Sequence, residues 1–159
     1  MLSDAVSNVQ RATLKVSRKE HKVPSVLNPY ISFRDNARQA MEFYKDVFGG
    51  ELKLNTFGEY GDPSAPGAEN IMHGQLETDK GFTLMAADTP PGMEFDSGSN
   101  ITISLSGDDE QELRGYWDKL ADGGKVTMPL EKQMWGDIFG MCNDKFDVPW
   151  MVNIGQPQS

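Results

Sequence analysis

The feature that most constrains this fold is an internal duplication, since the order strand, helix, three strands is predicted twice. The helix of each half ends at a glycine pair, Gly49-Gly50 in the first and Gly123-Gly124 in the second. Glycine adopts the left-handed conformation that closes a helix at little cost. A repeat of about 70 residues is too long for a solenoid. The pattern therefore predicts two similar modules, spanning about residues 26–90 and 98–155.

Alternating or helical hydrophobic periodicity defines the predicted elements. The first module reads as the strand "VLNPYISF", the helix "RDNARQAMEFYKDVF" with Asp35 or Asn36 as its N-cap, the strand "ELKLNTFGEY", and the hairpin of "IMHGQLET" and "FTLMAAD". The second module reads as the strand "ITISLSG", the helix "DDEQELRGYWDKLADGG", and the strands "KVTMPL", "DIFGMCND" and "VPWMVNI". Each unit leaves one sheet face uncovered, so we expect the two units to pair around a cavity.

Charge and composition exclude several classes of function. The chain carries a net charge of −9, whereas nucleic-acid binding requires a basic surface. Residues 1–24 are net +3 and the rest is net −12, so we interpret residues 1–25 as an extension outside a domain of residues 26–159. No apolar run approaches the ~18 residues of a membrane span. The lone Cys142 excludes an internal disulfide, and we expect a cytoplasmic protein with Cys142 as a packing residue.

Several stretches together resemble a known superfamily. They are "NPYISF", "AMEFYKDVFGGE", "MHGQLE", "LMAAD" and "GGKVTMPLEKQMWGDIFGMCNDKFDVPWMVN". They are similar to the vicinal oxygen chelate superfamily of glyoxalases, bleomycin-resistance proteins and dioxygenases, and within it to the PhnB-like group. The resemblance implies an α+β fold in which two βαβββ modules form open mixed-sheet barrels around a pocket. Asp147 stands where the related pattern usually has glycine, and aspartate tolerates the left-handed conformation that the turn needs.

The resemblance also implies where a metal ion would bind. Metal-dependent members of the superfamily place one ligand on the first and one on the last strand of each module, which here fall near Pro29, Met85, Thr102 and Met151. Divalent metal ions of this kind prefer imidazole nitrogen or carboxylate oxygen. None of the four residues supplies either group, so we expect no metal ion and no other cofactor.

One polar group on a predicted strand is a candidate for chemistry. His73, Gln75 and Glu77 alternate along "MHGQLE" and therefore share one face of the strand. Three interpretations stay open: a structural histidine that points away from the pocket, a pocket role without metal, and metal ligation by His73 with Glu77. The register of the hairpin decides which face lines the cavity, and the sequence leaves that register open.

Aromatic and methionine side chains form the second candidate group. Tyr30, Met85, Trp135, Phe139 and Trp150 are the candidate ligand-binding residues, together with His73 and Glu77. Such side chains suit an apolar or planar ligand. They are equally typical of a hydrophobic core, and strand alternation must send some of them each way.

These patterns favour a metal-free protein that binds an unknown small molecule, and we expect it to be a homodimer. Two rival functions stay open at this stage. One is a metal-dependent lyase, isomerase or dioxygenase that uses His73 and Glu77. The other is sequestration of a cationic drug, which the net charge of −12 on residues 25–159 would favour.

Overall fold

The computed structural model describes residues 26–96, 98 and 101–156, so the predicted extension of residues 1–25 lies outside the described residues. The first module comprises β1 (Tyr30–Phe33), α1 (Ala37–Phe48), β2 (Glu51–Thr56), α2 (Phe57–Tyr60), β3 (Ile71–Glu77) and β4 (Thr83–Asp88). The second module comprises β5 (Ile103–Gly107), α3 (Glu110–Ala121), β6 (Lys125–Lys132), β7 (Ile138–Asn143) and β8 (Pro149–Ile154). Among the described residues, neither long helix is sufficiently extended and apolar to cross a membrane.

The strands form two mixed four-stranded sheets with the same topology. Their orders are β1-β4-β3-β2 and β5-β8-β7-β6. The first strand of each module pairs in parallel with the last strand, and all other pairs are antiparallel. This confirms the predicted α+β fold of two βαβββ modules. The two sheets do not close onto each other, so each keeps one face against its helix and one open face.

The duplication extends to the turns. Thr78 and Asp144 each open the last hairpin of their module, and each accepts a backbone N–H with its side-chain oxygen, from Phe82 at 3.1 Å and from Val148 at 3.2 Å. The left-handed position that follows is Gly81 in one hairpin, with φ +82°, and Asp147 in the other, with φ 65°. The predicted left-handed conformation of this aspartate is confirmed.

Helix α1 begins differently from the prediction. Asn36 occupies the N-cap position, but its side chain makes no capping hydrogen bond. The buried carboxylate of Asp88, at the end of β4, instead accepts the Ala37 N–H at 2.9 Å and the Ile71 N–H at 2.8 Å. The predicted N-cap position of Asn36 is therefore confirmed, but a side chain distant in sequence, and not Asn36 itself, accepts the free N–H. Helix α3 has the expected local cap, Asp109, which accepts the Glu112 N–H at 3.1 Å.

Two predicted strands are shorter than the sequence pattern indicates. Strand β1 starts only at Tyr30, and β2 ends at Thr56, after which residues 57–60 form the helical turn α2. The Phe57 and Gly58 N–H groups donate to the carbonyls of Asn70 and Ala68 at 3.1 and 2.8 Å. These bonds hold the turn against its own loop, and the prediction of a strand over "FGEY" was therefore wrong.

Aromatic packing joins the two modules. Tyr44 of α1 is fully buried, and its ring lies 5.7 Å from that of Trp150 on β8. The ring centroid of Phe48, at the end of the same helix, lies 5.6 Å from that of Trp150 and 5.0 Å from that of Tyr116 of α3. The helix of the first module therefore packs against the helix and the sheet of the second, and this contact fixes the position of both open faces.

Candidate functional site

The open face of the first sheet is polar. Strand alternation turns Gly74 and Leu76 toward α1, so His73, Gln75 and Glu77 point to the open side. Met85 lies on the same side, because it is the register partner of Gln75 on one side and of Tyr30 on the other. The structure therefore brings four of the predicted site residues, Tyr30, His73, Glu77 and Met85, onto one surface.

A chain of hydrogen bonds runs along β3 on this surface. The Gln75 side chain donates to Glu77 Oε1 at 2.6 Å. His73 Nε2 lies 3.4 Å from Gln75 Oε1, and its ring centroid lies 5.9 Å from that of Tyr30. These contacts order the three side chains, and Glu77 is exposed, with its second carboxylate oxygen making no hydrogen bond to any residue that the structure describes.

The open face of the second sheet is apolar at its centre and polar at its edges. Four residues are buried on the helix side of this sheet: Gly140, Cys142, Trp150 and Val152. Their neighbours on the strands point to the open side: Met128, Phe139, Met141, Met151 and Asn153. Phe139 is the register partner of the polar residue Asn153. The side-chain amide of Asn153 donates to the carboxylate of Asp137 at 3.1 Å.

The two predicted tryptophans lie in different environments. Trp135 is 65% exposed in the turn between β6 and β7, with its ring centroid 6.4 Å from that of Phe139. It extends the apolar face at its rim. Trp150 is 1% exposed on the helix side of β8, so the structure separates it from the other candidate residues and makes it a core residue.

Sequence reasoning missed Asp144, the most highly connected buried side chain. Its Oδ1 accepts the backbone N–H groups of Phe146 and Val148 at 2.8 and 3.2 Å. Its Oδ2 accepts the Tyr44 hydroxyl at 2.6 Å and the Trp150 indole N–H at 2.8 Å. Burial, and then the charge of Asp144, raise the pKa of Tyr44 well above its ordinary value. The turn sequence "NDKFD" marked a hairpin, but nothing local marked the two distant donors.

The thiol of Cys142 is buried on the helix side of β7, as the sequence predicted. Burial, with a smaller contribution from the Asp144 carboxylate, raises the pKa of this thiol to about 11. A thiol in this state is protonated at neutral pH and therefore a poor nucleophile. The arrangement fits packing rather than covalent chemistry.

Two of the four positions near which the superfamily would place metal ligands, Met85 and Met151, lie on the open faces. Their parallel register partners are Tyr30 and Ser104. None of these four side chains offers imidazole or carboxylate. Within residues 26–96, 98 and 101–156, no three His, Cys, Asp or Glu side chains come together as a metal site.

A cleft of about 400 Å³ runs between the two modules, beside the edge strands β1 and β5. Its walls include Phe82, Leu84, Leu105 and Leu113. Among the seven candidate residues, all of which the structure describes, Trp150 alone lines this cleft. The methionines of the second open face do not line the cleft, but Ser104, the register partner of Met151, does.

Comparisons with known proteins define the class of this fold. Residues 26–152 match the model of the Glyoxalase/Bleomycin resistance protein/Dioxygenase superfamily, and the chain belongs to this superfamily.

Protein YjdN of Escherichia coli (strain K12) is 32% identical over 143 residues, which are 83% of this chain and 97% of YjdN. The crystal structure of protein PA1353 from Pseudomonas aeruginosa is similar with a TM-score of 0.75 and 36% identity, over 84% of this chain and 100% of that one. A Bacillus cereus structure described as a putative 3-demethylubiquinone-9 3-methyltransferase, PhnB protein, has a TM-score of 0.68 and 22% identity, over 82% of this chain and 100% of that one. At that identity the last similarity concerns the fold alone.

Proposed function

We propose that this chain is a PhnB-like, cytoplasmic, homodimeric protein that binds a small molecule by shape and apolar contact, without a hard divalent metal ion. The observation that carries the proposal is the apolar open face of the second sheet. Phe139, Met141 and Met151 are only partly buried there, on strands whose other side already forms the core. Apolar and aromatic walls with a few polar groups are typical of small-molecule sites.

The polar open face supplies the second half of the proposed recognition. The hydrogen-bonded side chains of His73, Gln75 and Glu77 would orient a ligand, and the exposed carboxylate would favour a hydrogen-bond donor or a cation. A homodimer would cover both open faces. The ligand would then lie between a thioether and aromatic wall and a polar wall.

The proposal is tested by titrating the protein with N-phenyl-1-naphthylamine, a planar neutral dye that fluoresces in apolar surroundings. We expect the fluorescence to saturate with dye concentration. Phe139→Ala should raise the Kd of the dye about tenfold, which is a loss of about 1.4 kcal/mol in binding free energy. Met134→Ala is the matched control, because Met134 is fully exposed in the neighbouring turn and lies off the open face. Absence of saturable binding, or equal loss in both variants, contradicts the proposal.

A metal analysis separates the proposal from a metal-dependent lyase, isomerase or dioxygenase. We expect the purified protein to keep its melting temperature and its dye binding after dialysis against EDTA. Stoichiometric Zn, Ni, Fe or Mn, together with a chelator-dependent loss of stability that His73→Ala reproduces, overturns it. Sedimentation analysis at several concentrations tests the homodimer, and a monomer at all of them contradicts that part.

A further inference from the structure

Three methionines form a continuous row across the second open face. Met128 on β6 is the register partner of Met141 on β7, and Met141 is the partner of Met151 on β8. Facing residues on antiparallel strands have Cα atoms about 4.5–5.5 Å apart. Because methionine has three rotatable side-chain bonds, the two outer thioethers can converge on a point above the central one. Met128 is 41% exposed, so the row is accessible from solvent.

The fold does not require methionine at these positions. The equivalent row in the first sheet is formed by Lys53, Gln75 and Met85, which are register partners across β2, β3 and β4. The same rung of the same topology therefore accepts a cation and an amide in one module. The three thioethers of the second module therefore depend on its sequence and are not required by the fold.

A β-bulge places Met128 in the row. Val126 pairs with Cys142, whose side chain is buried on the helix side of this sheet, and a regular strand would place Met128 on that same side. The register shifts between Val126 and Met128, so Met128 lies opposite Met141 instead. Bulges re-aim side chains in this way near functional sites.

From these observations we propose that the row Met128–Met141–Met151 binds a soft monovalent cation, Cu(I) or its redox-inert analogue Ag(I), through three thioether sulfurs. Thioethers are soft ligands that select Cu(I) over hard divalent ions. Glu131 and Lys125 flank the row on neighbouring rungs, opposite Phe139 and Asn143. The opposite charges of these two side chains offset each other, so sulfur chemistry and not net charge gives the selectivity. The site goes beyond the proposed function and uses the same wall.

Nuclear magnetic resonance of ¹³C-methyl-labelled methionine tests the site directly. Silver nitrate is titrated into the protein carrying Cys142→Ala, so that thiol binding cannot contribute. We expect the methyl resonances of Met128, Met141 and Met151 to shift together and to saturate near one equivalent. Those of Met93 and Met134, which are 59% and 102% exposed outside the row, should not move.

Substitution by leucine keeps the volume and removes the sulfur. Met141→Leu should weaken Ag(I) binding at least tenfold, and Met134→Leu should leave it unchanged. The inference is overturned if the row does not shift at one equivalent, if the exposed methionines shift equally, or if Met141→Leu binds Ag(I) as the parent does. Circular dichroism confirms that each variant is folded.

Dye binding distinguishes this inference from the proposed function. Ag(I) at saturation should displace N-phenyl-1-naphthylamine, because both occupy the methionine wall. A protein that binds the dye but not Ag(I) keeps the proposed function and refutes the metal site. A protein that binds Ag(I) through the row but no dye keeps the site and refutes the proposed function.

Discussion

Tyr44 donates its hydroxyl proton to Asp144 across 2.6 Å, and this hydrogen bond connects two residues that are 100 positions apart in the chain. Tyr44 belongs to α1 of the first module, whereas Asp144 opens the last hairpin of the second. The same carboxylate accepts the Trp150 indole. One buried anion therefore holds a helix of one module and a strand of the other, and sets the relative position of the two open faces.

Replacing Asp144 by Asn should destabilise the protein by about 2–3 kcal/mol. The amide offers one acceptor oxygen where the carboxylate satisfies four donors, so buried N–H or O–H groups lose their partners. Tyr44→Phe removes a single donor and should cost about 1 kcal/mol. Urea denaturation measures both values. Asp118→Asn on the exposed side of α3 is the control, and an equal effect there would contradict the assignment.

Alkaline pH should destabilise the protein through Cys142. Its pKa is about 11 in the folded state, against an ordinary value of 9.0, so above pH 9 the unfolded chain releases a proton that the folded chain retains. The free energy of unfolding should therefore fall between pH 9 and pH 11, by about 1.4 kcal/mol per pH unit at most. Denaturation midpoints at pH 7, 9 and 10 measure the fall.

The variant Cys142→Ala should show a smaller fall in the same pH window. Tyr44, whose pKa is also raised, then determines the remaining loss, which begins only above the ordinary tyrosine pKa of 10.0. Identical slopes for the parent and the variant between pH 9 and pH 10 would show that the thiol is not the linked group.

Two Gly→Ala substitutions should change stability in opposite directions. A Cβ at Gly140 would lie 2.8 Å from the Leu130 Cα and 3.0 Å from the Trp117 ring, and overpacking of this kind costs about 1–3 kcal/mol. Gly115 lies within α3 with open space around it, where alanine gains about 0.5–1 kcal/mol. Thermal melts of both variants test the contrast, and equal shifts would refute the packing at Gly140.

Asp88→Asn should weaken the junction of α1 and β3. An amide can accept from Ala37 N–H or from Ile71 N–H, but its nitrogen must then face the other donor. We expect a loss of about 1–2 kcal/mol, measured by urea denaturation. Amide hydrogen exchange should accelerate first in the initial turn of α1, and uniform acceleration across both modules would argue against a local role.

The order of elements could be predicted from the sequence because it depends on local patterns. The glycine pairs, the helical stripes and the alternating strands are all visible within short windows, and the fold class followed from them. The errors arose where a distant residue decides. Asp88, and not the predicted N-cap residue Asn36, accepts the free N–H of α1, and hydrogen bonds to Asn70 and Ala68 convert the end of a predicted strand into the turn α2.

The candidate site was predictable only in part, for the same reason. Residue type indicated Tyr30, Met85 and Phe139, but the face of each strand depends on register, which the sequence left open. The sequence left open whether Trp150 belongs to the core or to a pocket. In the structure its side chain is buried and its indole N–H donates to Asp144, which makes it a core residue. The bulge before Met128 could not be read from alternation, because alternation assumes the regular strand that a bulge interrupts.

The hairpin that begins with Thr78 in one module and Asp144 in the other makes the two halves non-interchangeable. A chain assembled from two first modules would place a threonine hydroxyl where the phenol of Tyr44 donates to a buried carboxylate. The phenol of the first module and the buried carboxylate of the second are therefore a matched pair, and exchanging either module for a copy of the other leaves one of these groups without its partner.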